Sequence, residues 1–105
     1  MKRCVIIIKI KPEKLEYYKA LHAAPWPEVT AAITECNIRN FSIYYRDGYL
    51  FSYYEYDGNN YACDMKRLGE LTVWWVEETD KCQQPLDTIR PEEWWADMVE
   101  LFHQD

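Results

Sequence analysis

The sequence lacks the features that would point to a membrane or a nucleic acid. Its longest apolar run, Val5–Ile8, is far too short to cross a bilayer, and Lys9, Lys11 and Glu13 follow too early for a signal peptide. The net charge of −6 has the wrong sign for binding a phosphate backbone. We therefore expect a cytoplasmic protein with neither a membrane nor a nucleic-acid partner.

Close-spaced cysteine pairs are also missing. The four cysteines, Cys4, Cys36, Cys63 and Cys82, are widely scattered and form no CxxC pair. Zinc sites need ligand pairs at short spacing, and disulfide scaffolds carry more cysteine per residue in secreted chains. We expect free thiols in a reducing compartment and no metal site.

Aromatic residues, in contrast, are abundant. They make up 16% of the 105 residues, with nine Tyr and five Trp. A chain of this length forms one domain, which we place at residues 1–105. Rings with a polar group suit a surface that is partly core and partly ligand wall, although small β-rich domains also fill their cores with aromatics.

Hydrophobic periodicity predicts the element order β-α-β-β-α-β. The predicted elements are a strand at Cys4–Ile10, helices at Glu13–His22 and Pro27–Cys36, a hairpin of strands Ile38–Tyr45 and Tyr49–Tyr56, a helix at Tyr61–Leu71 and a strand at Met98–Phe102. This order predicts an α+β, ferredoxin-like fold: a four-stranded antiparallel sheet with helices on one face. The other face would be bare, which favours a homodimer.

Tyr18 and His22 form the most suggestive chemical pair. They lie four residues apart on a predicted helix and therefore share a face. Histidine exchanges a proton near neutral pH, and a tyrosine hydroxyl can orient a ligand or relay a proton. Spacing alone leaves the alternatives open that His22 is an ordinary surface or core residue and that Tyr18 only packs. His103, near the chain end, is the weaker candidate.

Several segments occur in the order and approximate spacing of a known family. They are Glu16-Tyr17-Tyr18-(three residues)-His22, Trp26-Pro27-Glu28, Asn40-Phe41-Ser42-Ile43, Trp74-Trp75 and the terminal Glu93-Trp94-Trp95-Ala96-Asp97-Met98-(three residues)-Phe102-His103. With these segments the sequence resembles the L-rhamnose mutarotase family, and its C-terminal part resembles a longer branch of that family.

The resemblance implies a dimeric α+β barrel that interconverts the α and β anomers of a 6-deoxy aldose such as L-rhamnose. Ring opening by acid/base chemistry would need no cofactor. His22 would be the general acid, and Tyr18, Phe41, Trp74 and Trp75 would contact the sugar. Position 41 is often Tyr in the family, so Phe41 leaves one hydroxyl contact missing, and L-fucose or another aldose is a possible substrate.

Two other functions fit a similar cavity. A non-catalytic ligand-binding or regulatory protein of the same dimeric fold would not need His22 as an acid or base. An oxygenase of that fold would bind a haem or a quinone-like substrate, which nothing about Tyr18 and His22 favours. Trp74 and Trp75 are adjacent, so we expect one to line the sugar site and the other to pack inward or at the dimer contact.

Overall fold

The computed structural model describes all residues from 1 to 105. The elements are β1 (Lys2–Ile10), a 3-10 turn (Pro12–Lys14), α1 (Leu15–Ala23), α2 (Pro27–Glu35), β2 (Ile38–Arg46), β3 (Tyr49–Tyr56), α3 (Tyr61–Leu71), α4 (Val73–Asp80), β4 (Gln83–Gln84) and β5 (Ala96–Asp97). No helix among them has both the length and the hydrophobicity needed to span a membrane.

The sheet is antiparallel, with its strands in the order β2-β3-β1-β4, and β5 also pairs with β1. The predicted hairpin is confirmed: β2 and β3 are joined at Asp47 (φ 51°) and Gly48 (φ 86°). Two consecutive positive φ angles give the turn a twist that matches the flanking strands, and Asp-Gly tolerates them well. The hairpin thus lies at one edge of the sheet, and β3 separates β2 from β1.

The helices cover one face of the sheet. On this inner face, Ile8 and Ile10 of β1 and Leu50 of β3 pack with Tyr18 of α1 and with Cys82, and all five are buried. The period of two along β1 turns Val5 to the opposite, outer face, where it is exposed. The predicted α+β, ferredoxin-like plan with helices on one face is thus confirmed.

The predicted strand at Met98–Phe102 is wrong. The chain instead pairs with Ile6 and Ile7 of β1 just before it, through β5. The last ladder-like bond runs from the Met98 backbone N–H to the Val5 carbonyl, and the residues after it lie in no strand. Leu101 is 94% exposed, so its apolar side chain has no sheet surface to pack on. Two short strands, β4 and β5, therefore replace the predicted fourth strand.

Helix α4 could not be predicted from the hydrophobic pattern of the sequence. Residues 73–76 are β-branched or aromatic and residues 77–80 are polar, so no helical stripe of apolar residues is visible. In the structure Thr79 faces inward and is buried, and Trp75 lies in the first turn of the helix. The Trp74-Trp75 pair is therefore helical rather than part of a segment beyond a helix.

Candidate active site

A cavity of about 820 Å³ lies between the inner face of the sheet and the helices. Side chains from β1, β2, β3 and all four helices line it, and most of them are hydrophobic. Its size and largely apolar wall are typical of a small-molecule site. No carboxylate lines the wall, and Lys19 and His22 are the only basic side chains there.

Tyr18 and His22 of α1 are stacked in this cavity. Their ring centroids are 4.2 Å apart and the planes are 30° from parallel. The His22 Nδ1 lies 2.8 Å from the backbone oxygen of Tyr18. A carbonyl oxygen only accepts, so Nδ1 carries the proton in the neutral ring and Nε2 keeps its lone pair. Burial lowers the pKa of His22, which favours this neutral form.

Tyr18 is buried and its hydroxyl group stays protonated. Only 5% of the residue is exposed. Burial raises the pKa of Tyr18 to about 12, against a smaller opposing effect of the hydrogen bond from Gln83. The hydroxyl is therefore a hydrogen-bond donor at neutral pH rather than a phenolate.

Trp75 forms the aromatic side of the cavity. Its indole stands edge-on to His22 at 5.2 Å and to Trp26 at 5.0 Å between centroids. Trp26 precedes Pro27, the first residue of α2, so the turn between the first two helices brings its ring against α4. Contacts with His22 of α1 and with Trp26, just before α2, thus hold the Trp75 ring on the cavity wall.

Phe41 reaches the cavity from β2 because the period of two along the strand puts it on the same face as Ile43 and Tyr45, which also line the cavity. The register with β3 shifts between Arg39 and Ser42, and Asn40 takes a positive φ of 51°. Phe41 lines the cavity and its ring lies 5.9 Å from that of Tyr54. The Asn40 side chain instead donates to Glu55, 2.7 Å away. This β-bulge shifts the alternation of the strand, so that Ile38, three residues before Phe41, lines the same cavity.

Trp74 lies outside the cavity. It is 75% exposed and borders a smaller groove with Trp26 and Leu71. The structure thus brings Tyr18, His22, Phe41 and Trp75 together at one cavity and leaves out Trp74, the fifth residue of the predicted set. The two tryptophans do point in different directions, although Trp74 does not pack inward within the chain.

The sequence-based prediction missed several polar residues of the cavity, among them Ser52 and Gln83. Ser52 is buried, and its hydroxyl makes no hydrogen bond within the protein. The period of two along β3 places it on the same face as Leu50, a signal that could have identified it. Gln83 is 3% exposed and bonds to Tyr18, but it stands in a polar stretch of sequence with no pattern to distinguish it.

No group of three or more His, Cys, Asp or Glu side chains is arranged to hold a metal ion. The functional groups that the cavity offers are an imidazole, phenol, hydroxyl and amide groups, and one amine. Such groups can bind hydroxyls and move protons.

Comparison with known proteins identifies the family. The family model described as L-rhamnose mutarotase matches residues 3–104. The chain is 26% identical to the L-rhamnose mutarotase of Bacteroides thetaiotaomicron over the full length of both proteins. It is 27% identical to that of Sinorhizobium fredii, over 76% of this chain and 79% of the relative.

Two solved structures share the fold over the full length of both chains. The crystal structure of an L-rhamnose mutarotase from Formosa agariphila superposes with a TM-score of 0.73 at 19% identity. Tetracenomycin F2 cyclase from Streptomyces glaucescens, a polyketide cyclase, superposes with a TM-score of 0.66 at 15% identity, and this likeness concerns the fold alone. Because the family model covers nearly the whole sequence, the chain belongs to the L-rhamnose mutarotase family.

Proposed function

We propose that this protein interconverts the α and β anomers of L-rhamnose, or of a closely related 6-deoxy aldose, by acid/base ring opening at His22. One observation carries the proposal: His22 is the only group on the cavity wall with an ordinary pKa near neutrality. Its Nε2 is unprotonated in the neutral ring, since Nδ1 donates to the Tyr18 carbonyl. Family membership supplies the reaction and the sugar class.

His22 can carry out both proton transfers that the reaction needs. Neutral His22 takes the proton of the anomeric hydroxyl at Nε2, the bond between the anomeric carbon and the ring oxygen breaks, and an aldehyde forms. The imidazolium then returns the proton to the former ring oxygen, so the same nitrogen acts first as base and then as acid. Rotation of the open-chain aldehyde and the reverse steps give the other anomer, with no net gain or loss of atoms.

Tyr18 and Trp75 give the sugar its position. The Tyr18 hydroxyl stays protonated at neutral pH and supports negative charge on a sugar oxygen by donating to it. Trp75 presents an indole, which suits the C–H face of a pyranose. Phe41 adds a second apolar ring, and apolar residues of the wall such as Val29 and Met65 suit a deoxy methyl group better than a hydroxymethyl.

We also propose that two copies pair through the outer face of the sheet. Val5, Tyr44 and Tyr49 lie exposed on that face, and the apolar residues Val99 and Leu101 of the C-terminal segment extend into solvent. An apolar surface of this kind is unusual on a monomer and typical of an interface between copies.

We further propose a cytoplasmic location, which the free thiols of all four cysteines support.

Exchange NMR on free aldoses tests the activity directly. Saturation of one anomeric proton is followed in its partner for L-rhamnose, L-fucose and D-glucose, with and without protein. We expect L-rhamnose or L-fucose to exchange faster than in buffer and His22→Gln to remove most of the acceleration. A wild-type protein that binds these sugars without accelerating any of them would instead be a binding protein of the same fold.

A further inference from the structure

We infer that Gln83 is a positioning residue for the proposed reaction: with the Trp94 indole it fixes the Tyr18 hydroxyl as a hydrogen-bond donor toward the sugar. The Gln83 Nε2 lies 3.2 Å from the Tyr18 hydroxyl oxygen. The Trp94 Nε1 lies 2.9 Å from the Gln83 Oε1. The three side chains form one continuous hydrogen-bonded chain, and the inference rests on the function proposed above.

The direction of this chain follows from the indole. Trp94 Nε1–H only donates, so the Gln83 atom that it contacts must be the carbonyl oxygen. The remaining end of the amide is therefore the NH₂ group, which donates to the Tyr18 oxygen. An amide whose orientation is otherwise ambiguous is thereby set by a neighbour with a single possible role.

The consequence falls on the Tyr18 hydroxyl. Its oxygen already accepts from Gln83, and no protein group accepts its proton. Both Tyr18 and Gln83 line the cavity, and Gln83 is 3% exposed. The hydroxyl proton is therefore available to a ligand in the cavity.

The substitution Gln83→Glu reverses the direction of the hydrogen bond with Tyr18 and keeps the shape of the side chain. The new carboxylate still accepts from Trp94, but toward Tyr18 it can only accept, so it takes the hydroxyl proton away from the cavity. We expect kcat for anomer exchange at pH 7 to fall about 10-fold, the scale of one hydrogen bond to a developing charge. Because a protonated carboxyl can donate, the loss relative to the wild type at the same pH should become smaller on acidification, unlike a loss caused by misfolding.

Three matched variants separate positioning from structure. Gln84→Glu adds the same charge at the exposed neighbouring residue and should leave exchange unchanged. Trp94→Phe removes the indole N–H, which lets the amide turn over, and should lower exchange about 3-fold. In a Tyr18→Phe background, Gln83→Glu should cause no further loss, because the group that it orients is gone.

The outcomes distinguish this inference from the proposed function. If the wild-type protein accelerates anomer exchange of no aldose, the proposed function is overturned and the inference with it. A wild-type protein that is active, with Gln83→Glu equally active at pH 7, overturns the inference alone. If Gln83→Glu fails to fold by circular dichroism, Trp94→Phe decides: unchanged exchange there also overturns it.

Discussion

The indole of Trp75 stands edge-on to the imidazole of His22, 5.2 Å away, while Tyr18 stacks on the imidazole face at 4.2 Å. Together with the hydrogen bond from Nδ1 to the Tyr18 carbonyl, these contacts hold the imidazole in one orientation and one tautomer. The Nε2 atom therefore has a fixed position at the cavity. If His22 carries the proton as proposed, it needs little rearrangement before it reacts.

Replacing His22 tests the proton carrier. His22→Gln keeps a polar side chain of similar length but cannot take up a proton. We expect the exchange rate for the preferred sugar to fall about 10²-fold or more, the usual scale of acid–base catalysis, with the melting temperature nearly unchanged. The control is His103→Gln, because His103 is near the chain end and pairs with Asp105. Full exchange in His22→Gln would remove His22 from the mechanism.

The pH profile of exchange should report the lowered pKa of His22. Burial favours the neutral ring, so the base form persists below the ordinary value of about 6.5. We expect exchange measured by NMR from about pH 5 to 8 to remain high at pH 6.5 and to fall only at lower pH. The unfolded chain protonates His22 at about 6.5 and the folded chain only below that. As the pH is lowered between these two values, the stability of the fold should therefore decrease. A rate of anomer exchange already halved above pH 6.5 would contradict the assignment.

Trp74 and Trp75 should differ in kind when each is replaced by alanine. Trp75→Ala removes ring contacts with His22 and Trp26, so both sugar affinity and the melting temperature should fall. Because Trp75 is only partly buried, the loss of stability should be less than the about 3–5 kcal/mol of a fully buried ring. Trp74→Ala should change stability little, since Trp74 is exposed. Equal losses of affinity, measured by sugar titration, would show that Trp74 also contacts the sugar.

Ser52→Ala should stabilise the protein and weaken sugar binding. The buried Ser52 hydroxyl makes no hydrogen bond within the protein, which costs about 1–3 kcal/mol relative to a methyl group. Calorimetry should therefore give a higher melting temperature for Ser52→Ala without sugar, and a smaller increase on adding sugar. Ser42→Ala, on the neighbouring strand, is the control, because Ser42 does not line the cavity. A lower melting temperature without sugar would contradict this prediction.

Pairing of two chains should depend on the outer sheet face. Light scattering at micromolar protein should give twice the chain mass for the wild type and the single mass for Val5→Lys, which places a charge amid the exposed apolar side chains of that face. Lys66→Glu, on the exposed surface of α3, should stay dimeric. A monomeric wild type would contradict the proposed dimer.

The main elements could be predicted from sequence because each has a local cause. Alternation fixes the long strands, Asp47-Gly48 fixes the hairpin, and Pro27 begins a helix. The residues of the site that share one helix, Tyr18 and His22, were found in the same way. Local patterns thus account for the central sheet and for the shared helix face of Tyr18 and His22.

The features that were missed depend on long-range contacts. Gln83 is significant only because Trp94 and Tyr18 lie at its two ends, eleven and sixty-five residues away in sequence. The strand predicted at Met98–Phe102 has β-forming residues but no partner in the sheet. Its apolar side chains are exposed instead, and a pattern of propensities does not distinguish such a segment from a paired strand.

The absence of carboxylates from the cavity wall also bears on which form of a sugar can enter. An uncharged aldose meets hydroxyl, amide and aromatic groups and loses no ionic hydration, so its affinity should barely depend on ionic strength. A sugar phosphate would bring a dianion into a largely apolar cavity of a chain with net charge −6, with Lys19 as the one lysine on its wall. We therefore expect the cavity to favour a free sugar over the corresponding sugar phosphate.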